Sequence, residues 1–177
     1  MDIQKYIDIC YPIAVEKGFY GPETKIEDHL MGIVSEIGEA YEAHRNGKFA
    51  DIKKIEMILN EDNFLRDEKD LIRHYEAHIS GTFEDEISDI FIRLFNLSAH
   101  ERFSIKLKTG DFYNIGWTNF SGDLLMIQDQ MIYQRDYSLG LSLLYGFCNF
   151  HKIDIEKYIQ AKIEYNKTRP MLHGKEY

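Results

Sequence analysis

The stretch His29-Leu30-Met31-Gly32-Ile33-Val34-Ser35-Glu36-Ile37-Gly38-Glu39-Ala40 decides the reading of this chain. Leu30, Ile33, Val34 and Ile37, continued by Tyr41, recur at three- and four-residue intervals, the period of an amphipathic helix expected over residues 26–46. Glu36 and Glu39 then stand on one side of that helix, one turn above each other. A second stretch, Glu86-Ile87-Ser88-Asp89, repeats the device inside a helix expected over residues 83–99, whose inward stripe is Ile87, Ile90, Phe91, Leu94 and Leu97. Two such helices packed face to face would bring four carboxylates into one cleft. That much negative charge in a partly buried place needs a cation. Hard divalent ions suit carboxylate oxygens, above all Mg²⁺ with Mn²⁺ as its substitute, and a phosphate substrate would complete the shell.

At 100° per residue, Glu36 and Glu39 flank the apolar stripe next to the small residues Gly32, Ala40 and Ala43, which would leave room for a metal and its waters. Glu86, Asp89, Arg93 and Asn96 form one polar stripe at the edge of the later helix, while Glu42, Glu84 and Asp85 fall farther out, as surface or helix-start acids. One such acidic pair is ordinary on a solvated helix face; two at equivalent edges fit a metal site and a solvated surface about equally well. The last helix starts at Asp154 as N-cap and ends before Pro170. Its inner face, set by Ile155, Tyr158 and Ile159, also carries Lys162, Asn166 and Arg169. Two resolutions stand for these cations: ion pairs with the acidic cleft, or contacts with substrate phosphates, with Asn166 bonding phosphate, sugar or base.

The rest of the chain bounds the class. With 177 residues, 44% hydrophobic and 14% aromatic, it suits one domain with its own core. A net charge of −9 makes it a poor non-specific partner for nucleic acid or anionic membrane. Cys10 and Cys148 show no metal-binding spacing and read as free thiols, and neither a leader profile nor a run of roughly 20 apolar residues is seen, so a soluble, cytoplasmic protein is expected. Further helices are expected over 2–17, closed at Lys17-Gly18, and over 123–135 and 139–150. Residues 48–80 carry two weaker helical patterns, 52–59 and 67–79, and read as a surface insertion or lid. Phe103, Ile105 and Leu107 alternate as a short strand would, before a turn at Lys108-Thr109-Gly110-Asp111 and the aromatics Phe112, Tyr113, Trp117 and Phe120; a hairpin and an irregular loop both fit. These aromatics suit a base-stacking lid or, more simply, a satellite core or subunit contact. The fold class is all-α, an antiparallel helical bundle in a single domain spanning 1–177, with insertions at about 48–80 and 101–145.

In the ordered blocks, the chain resembles the MazG-like all-α nucleoside triphosphate pyrophosphohydrolases. The ExxE block is Glu36 to Glu39, preceded by Lys17-Gly18-Phe19; the ExxDxxxR block is Glu86 through Arg93; the KxxxNxxRP tail is Lys162 through Pro170, followed by His173-Gly174-Lys175. The resemblance implies Mg²⁺-dependent cleavage of a nucleoside triphosphate to monophosphate and pyrophosphate, in a house-cleaning role, by a homodimer or homotetramer. It implies Glu36, Glu39, Glu86 and Asp89 as metal ligands, Lys162 and Asn166 as nucleotide contacts, and Arg169 as a nearby stabilising charge. The chain departs from the pattern in its two long inserted segments and in Asn96, where many relatives carry an acid.

Carboxylate-held Mg²⁺ would orient the triphosphate and activate water, with Glu39 as general base, and no Ser, Cys or His need act as nucleophile. The seven histidines show no metal-ligand clustering and read mostly as surface residues. A di-iron carboxylate bundle is excluded because no His stands three residues after a Glu. The alternative is a helical interaction or regulatory protein of the same fold without turnover.

Overall fold

The computed structural model describes residues 1–21, 24–60, 67–110, 112, 116, 117 and 119–174, with side chains to Leu172. Pro22, Asp111, Tyr113 and Lys175, and the His173 side chain, lie outside this set. The described residues form eight α-helices and no strand: α1 Ile3–Glu16, α2 Ile26–Arg45, α3 Ile52–Leu59, α4 Glu68–His78, α5 Phe83–His100, α6 Phe120–Gln128, α7 Tyr137–Phe150 and α8 Ile155–Thr168. A π-helical turn, Asp129–Tyr133, extends α6, and a 3₁₀ turn, Met171–Gly174, follows α8. None of the described helices is long and apolar enough to cross a membrane.

Glycine closes the first two helices where the chain must turn left-handed. Gly18 has φ +85° and Gly47 has φ +66°. Beyond each, an amide reaches back five residues, Phe19 to Ala14 at 3.0 Å and Lys48 to Ala43 at 2.9 Å, satisfying carbonyls the helix end leaves open. α2 further carries Glu27 and Asp28 in its first turn and His44 and Arg45 in its last, complementing the helix dipole.

α5 is the central element, packed against α1, α2, α7 and α8. It runs antiparallel to α2: Phe83 at its start meets His44 near the α2 end at 5.4 Å, whereas Arg93, later in α5, reaches back to Glu36. Ile87, Ile90, Phe91, Leu94, Phe95 and Leu97 of α5 are buried, and each large apolar side chain contributes roughly 1.5–3 kcal/mol. Unusually, so are Glu84, Asp85, Glu86 and Asn96. A helix buried on nearly every side with acids among its buried residues is where function is expected.

Residues 48–80, expected as a surface insertion or lid, do not lie wholly on the surface. α3 and α4 pack against α8, Ile55, Ile58, Tyr75 and Ile79 are buried, and the Tyr75 and Tyr165 rings stack at 4.2 Å. The apolar residues of α3, Ile52, Ile55, Ile58 and Leu59, recur at three- and four-residue intervals, and α8 supplies the face that both short helices pack against. Of the hairpin and the irregular loop that both fit residues 103–108, the described residues show the loop. The segment is extended, but Lys106 N donates to Ser138 Oγ (3.2 Å) and Lys108 N to Ser142 Oγ (2.8 Å), both on α7. Ile105 is buried and Phe103 stacks on Tyr137 at 4.7 Å, so the alternation reports a buried and an open face with serine hydroxyls in place of a neighbouring strand. Trp117 and Phe120 join the main core: Trp117 is buried edge-on to Phe147 at 5.6 Å, and Phe120 stacks on His44 at 3.6 Å.

Candidate functional site

α1, α2, α5 and α8 enclose a cavity of about 230 Å³. Glu36, Glu39, Glu86, Asp89, Lys162, Asn166 and Arg169, all the residues singled out from the sequence, line it. Three of the four acids converge: Glu36, Glu86 and Asp89 each offer a carboxylate oxygen, all within 4.8 Å of one another. Glu39 is exposed at the rim and accepts the Ser35 hydroxyl at 2.8 Å, outside that trio.

Two cations hold the trio together. Arg93 Nε donates to Glu36 Oε1 at 2.7 Å. Its guanidinium lies over Gly32, where a Cβ would stand 2.5 Å from Nη1. Gly32 therefore makes room for Arg93 rather than for a metal and its waters, and Ala40 and Ala43 are buried core residues, which corrects the expected use of these small residues. Lys162, 4% exposed, bonds Asp89 Oδ2 at 2.6 Å and Asp85 Oδ1 at 2.8 Å. Burial works against its ammonium, yet the two carboxylates outweigh that and hold its pKa above the ordinary lysine range. Of the two resolutions open for Lys162, the structure shows the ion pair.

Of the two readings left for Asp85, surface charge or helix-start acid, the structure shows the second, in the first turn of α5. It is almost wholly buried, accepts the Tyr75 hydroxyl and the Gly81 amide (3.0 Å), and anchors Lys162. Glu84 is likewise a first-turn acid: it is buried, accepts the Ala50 amide at 2.8 Å, and burial raises its pKa. Both belong to a helix start that α4, the 48–50 segment and α8 cover.

Glu86 is the acid of the trio without a cationic partner within ion-pair distance among the described residues. Burial, then the Asp85 and Asp89 charges, push its pKa up to about 8. Burial likewise raises Asp89 to about 6 although Lys162 opposes the shift. Both shifts favour a proton held among the three carboxylates. Opposed oxygen ligands of Mg²⁺ or Ca²⁺ lie roughly 4–5 Å apart, so three oxygens this close, with no nitrogen or sulfur among them, fit such an ion. Arg169 remains open: its guanidinium lies 5.5 Å over the Tyr165 ring, with no carboxylate in ion-pair range among the described residues. Lys17 joins it on the cavity wall, with Glu16 at 3.6 Å.

Sequence reasoning passed over His29, a buried α2 residue stacked on Tyr20 at 4.2 Å. Burial, then His100 and Arg93, lower its pKa to about 4, so its imidazole is neutral. Its two-turn spacing from Glu36 was the available signal, masked by the ordinary occurrence of His on helix surfaces. Asn166 is 9% exposed and its Oδ1 lacks a hydrogen-bond partner among the described residues. Comparison with protein-family models, curated proteins and solved structures finds no match to this chain.

Proposed function

We propose that this chain is a Mg²⁺-dependent nucleoside triphosphate pyrophosphohydrolase of the MazG-like all-α kind, releasing a nucleoside monophosphate and pyrophosphate in nucleotide-pool house-cleaning. The convergence of Glu36, Glu86 and Asp89 within 4.8 Å, in a cavity that also holds an Asn166 Oδ1 without a partner among the described residues, carries the reading. Glu36, Glu86 and Asp89 would hold the ion, which when bound supplies charge neutralisation for the triphosphate and a more acidic water. Lys162 keeps Asp89 charged and fixed from behind. Arg169 and Lys17 on the cavity wall would supply the positive charge a polyphosphate needs, and Asn166 would donate or accept at the nucleotide. Glu39, free of the trio and open to solvent, would take the proton of the attacking water. Phosphoryl transfer asks mainly for positioning and charge compensation, so no protein nucleophile is required.

A second reading has its own support. Arg93 on Glu36 and Lys162 on Asp89 already compensate two of the trio, as in a helical binding or regulatory protein without turnover. Pyrophosphate release from a panel of dNTPs with Mg²⁺ decides between them. Turnover is expected in the wild type, with a loss of about a hundredfold or more in Glu86→Gln, because a catalytic ion contributes several kcal/mol. Wild-type protein that folds and releases no pyrophosphate would establish the second reading.

A further inference from the structure

Beyond the acid trio, the cavity holds polar atoms that the proposed reaction leaves unused. His29 is 8% exposed and Asn96 is 7% exposed, both line the cavity, and neither His29 Nε2 nor Asn96 Oδ1 has a hydrogen-bond partner among the described residues. Burying an unmet polar atom is costly, and two on one cavity are retained where an occupant meets them.

Their placement follows from helix geometry. His29 stands seven residues before Glu36 on α2, and Asn96 seven residues after Asp89 on α5. Because α2 and α5 run antiparallel, both displacements point the same way, two turns or about 10 Å from the acids, beyond the Gly32–Arg93 contact. Cys10, Ile13 and Ala14 of α1 give this cavity apolar lining. Tyr20 fixes the plane of the His29 ring by stacking on it at 14°. The open acceptor on Asn96 calls for a ligand that carries a donor, which a second phosphate lacks. An uncharged planar heterocycle with an N–H donor for Asn96 Oδ1 meets both atoms and the apolar lining.

We propose that His29 and Asn96 form a base-recognition subsite, reading the hydrogen-bonding edge of a nucleotide whose phosphates lie at the acid trio. This rests on the phosphate reading of that trio. It makes His29 and Asn96 specificity-determining residues and adds no step to the reaction. A site built to pair a polar edge discriminates strongly against ligands that cannot supply it.

Calorimetric titration with Mg²⁺ separates the two claims, using inorganic tripolyphosphate and the α,β-methylene analogues of the four common dNTPs. In the wild type, the best nucleotide is expected to bind at least about tenfold tighter than tripolyphosphate and than the poorest base. In Asn96→Leu and His29→Phe that base preference should collapse to within about threefold, with melting temperature unchanged or raised, because an unmet polar atom is gone. His29→Gln and Asn96→Asp serve where the apolar variants do not fold, and are expected to alter the order of base preference. Nucleotides that bind no better than tripolyphosphate, or variants that keep the wild-type base preference, overturn the subsite alone. Tripolyphosphate and nucleotides that all fail to bind overturn the phosphate reading as well.

Discussion

Among single residues, Glu86 sets the electrostatics of the cavity. Its pKa, raised from 4.5 to about 8, means the folded state binds the proton more tightly than the unfolded chain. The stability it contributes is therefore complete below about pH 4.5 and is lost as pH rises toward 8, at up to about 1.4 kcal/mol per pH unit. Asp89, raised from 3.8 to about 6, acts with the same sign at lower pH. Metal-free protein should thus lose thermal stability between mildly acidic and mildly alkaline buffer, and Glu86→Gln should flatten that slope, as followed by circular dichroism melts. Lys162 has the opposite character. Lys162→Met would leave Asp85 and Asp89 facing each other without compensation, and should cost about 3–5 kcal/mol by denaturant unfolding at neutral pH. Both expectations turn on neighbours from α5 and α8 that no local pattern specifies. The spacing of Glu86 and Asp89 was readable, but the burial of Asp85 was not, because Tyr75, Gly81 and Lys162 reach it from three other segments.

At the scale of elements, the helices follow their sequence periods closely. α3 and α4 form over the spans their patterns predict, and α8 supplies the face that buries them. The segment at 103–108 shows the converse: a clear alternation without a strand, held by Ser138 and Ser142. Its approach to α7 continues at Gly146, where a Cβ would collide with the Phe112 carbonyl oxygen, a backbone atom that cannot step aside. Gly146→Ala should therefore destabilise by about 1–3 kcal/mol, measured as a lower denaturation midpoint, despite the better helix propensity of alanine. Gly32→Ala meets only the tip of a flexible arginine and should be tolerated far better.

Across the whole molecule, an acidic chain of net charge −9 gathers five carboxylates around one cavity and balances them incompletely. A cation that binds only the folded state adds stability by mass action, about 2.7 kcal/mol at a hundred times its dissociation constant. At about 2–4 °C per kcal/mol for a domain of this size, saturating Mg²⁺ or Mn²⁺ should raise the melting temperature by about 5–10 °C. The rise should be largest in alkaline buffer, where the cation replaces no proton on Glu86, and should vanish in the double variant Glu36→Gln, Glu86→Gln. A full response in the double variant would place the ion elsewhere.

By itself the sequence determined the all-α class, the course of its helices and the two acidic turns of α2 and α5, since each rests on a three- to four-residue period contained in one segment. Tertiary structure decided which acids meet: Glu36, Glu86 and Asp89 converge, Glu39 stays at the rim, and Asp85 turns inward to Lys162. It also decided that His29 and Asn96 share a cavity. The angle and register at which two helices cross depend on how all their side chains pack at once, and a pattern read along one helix carries no information about what the next will press against it.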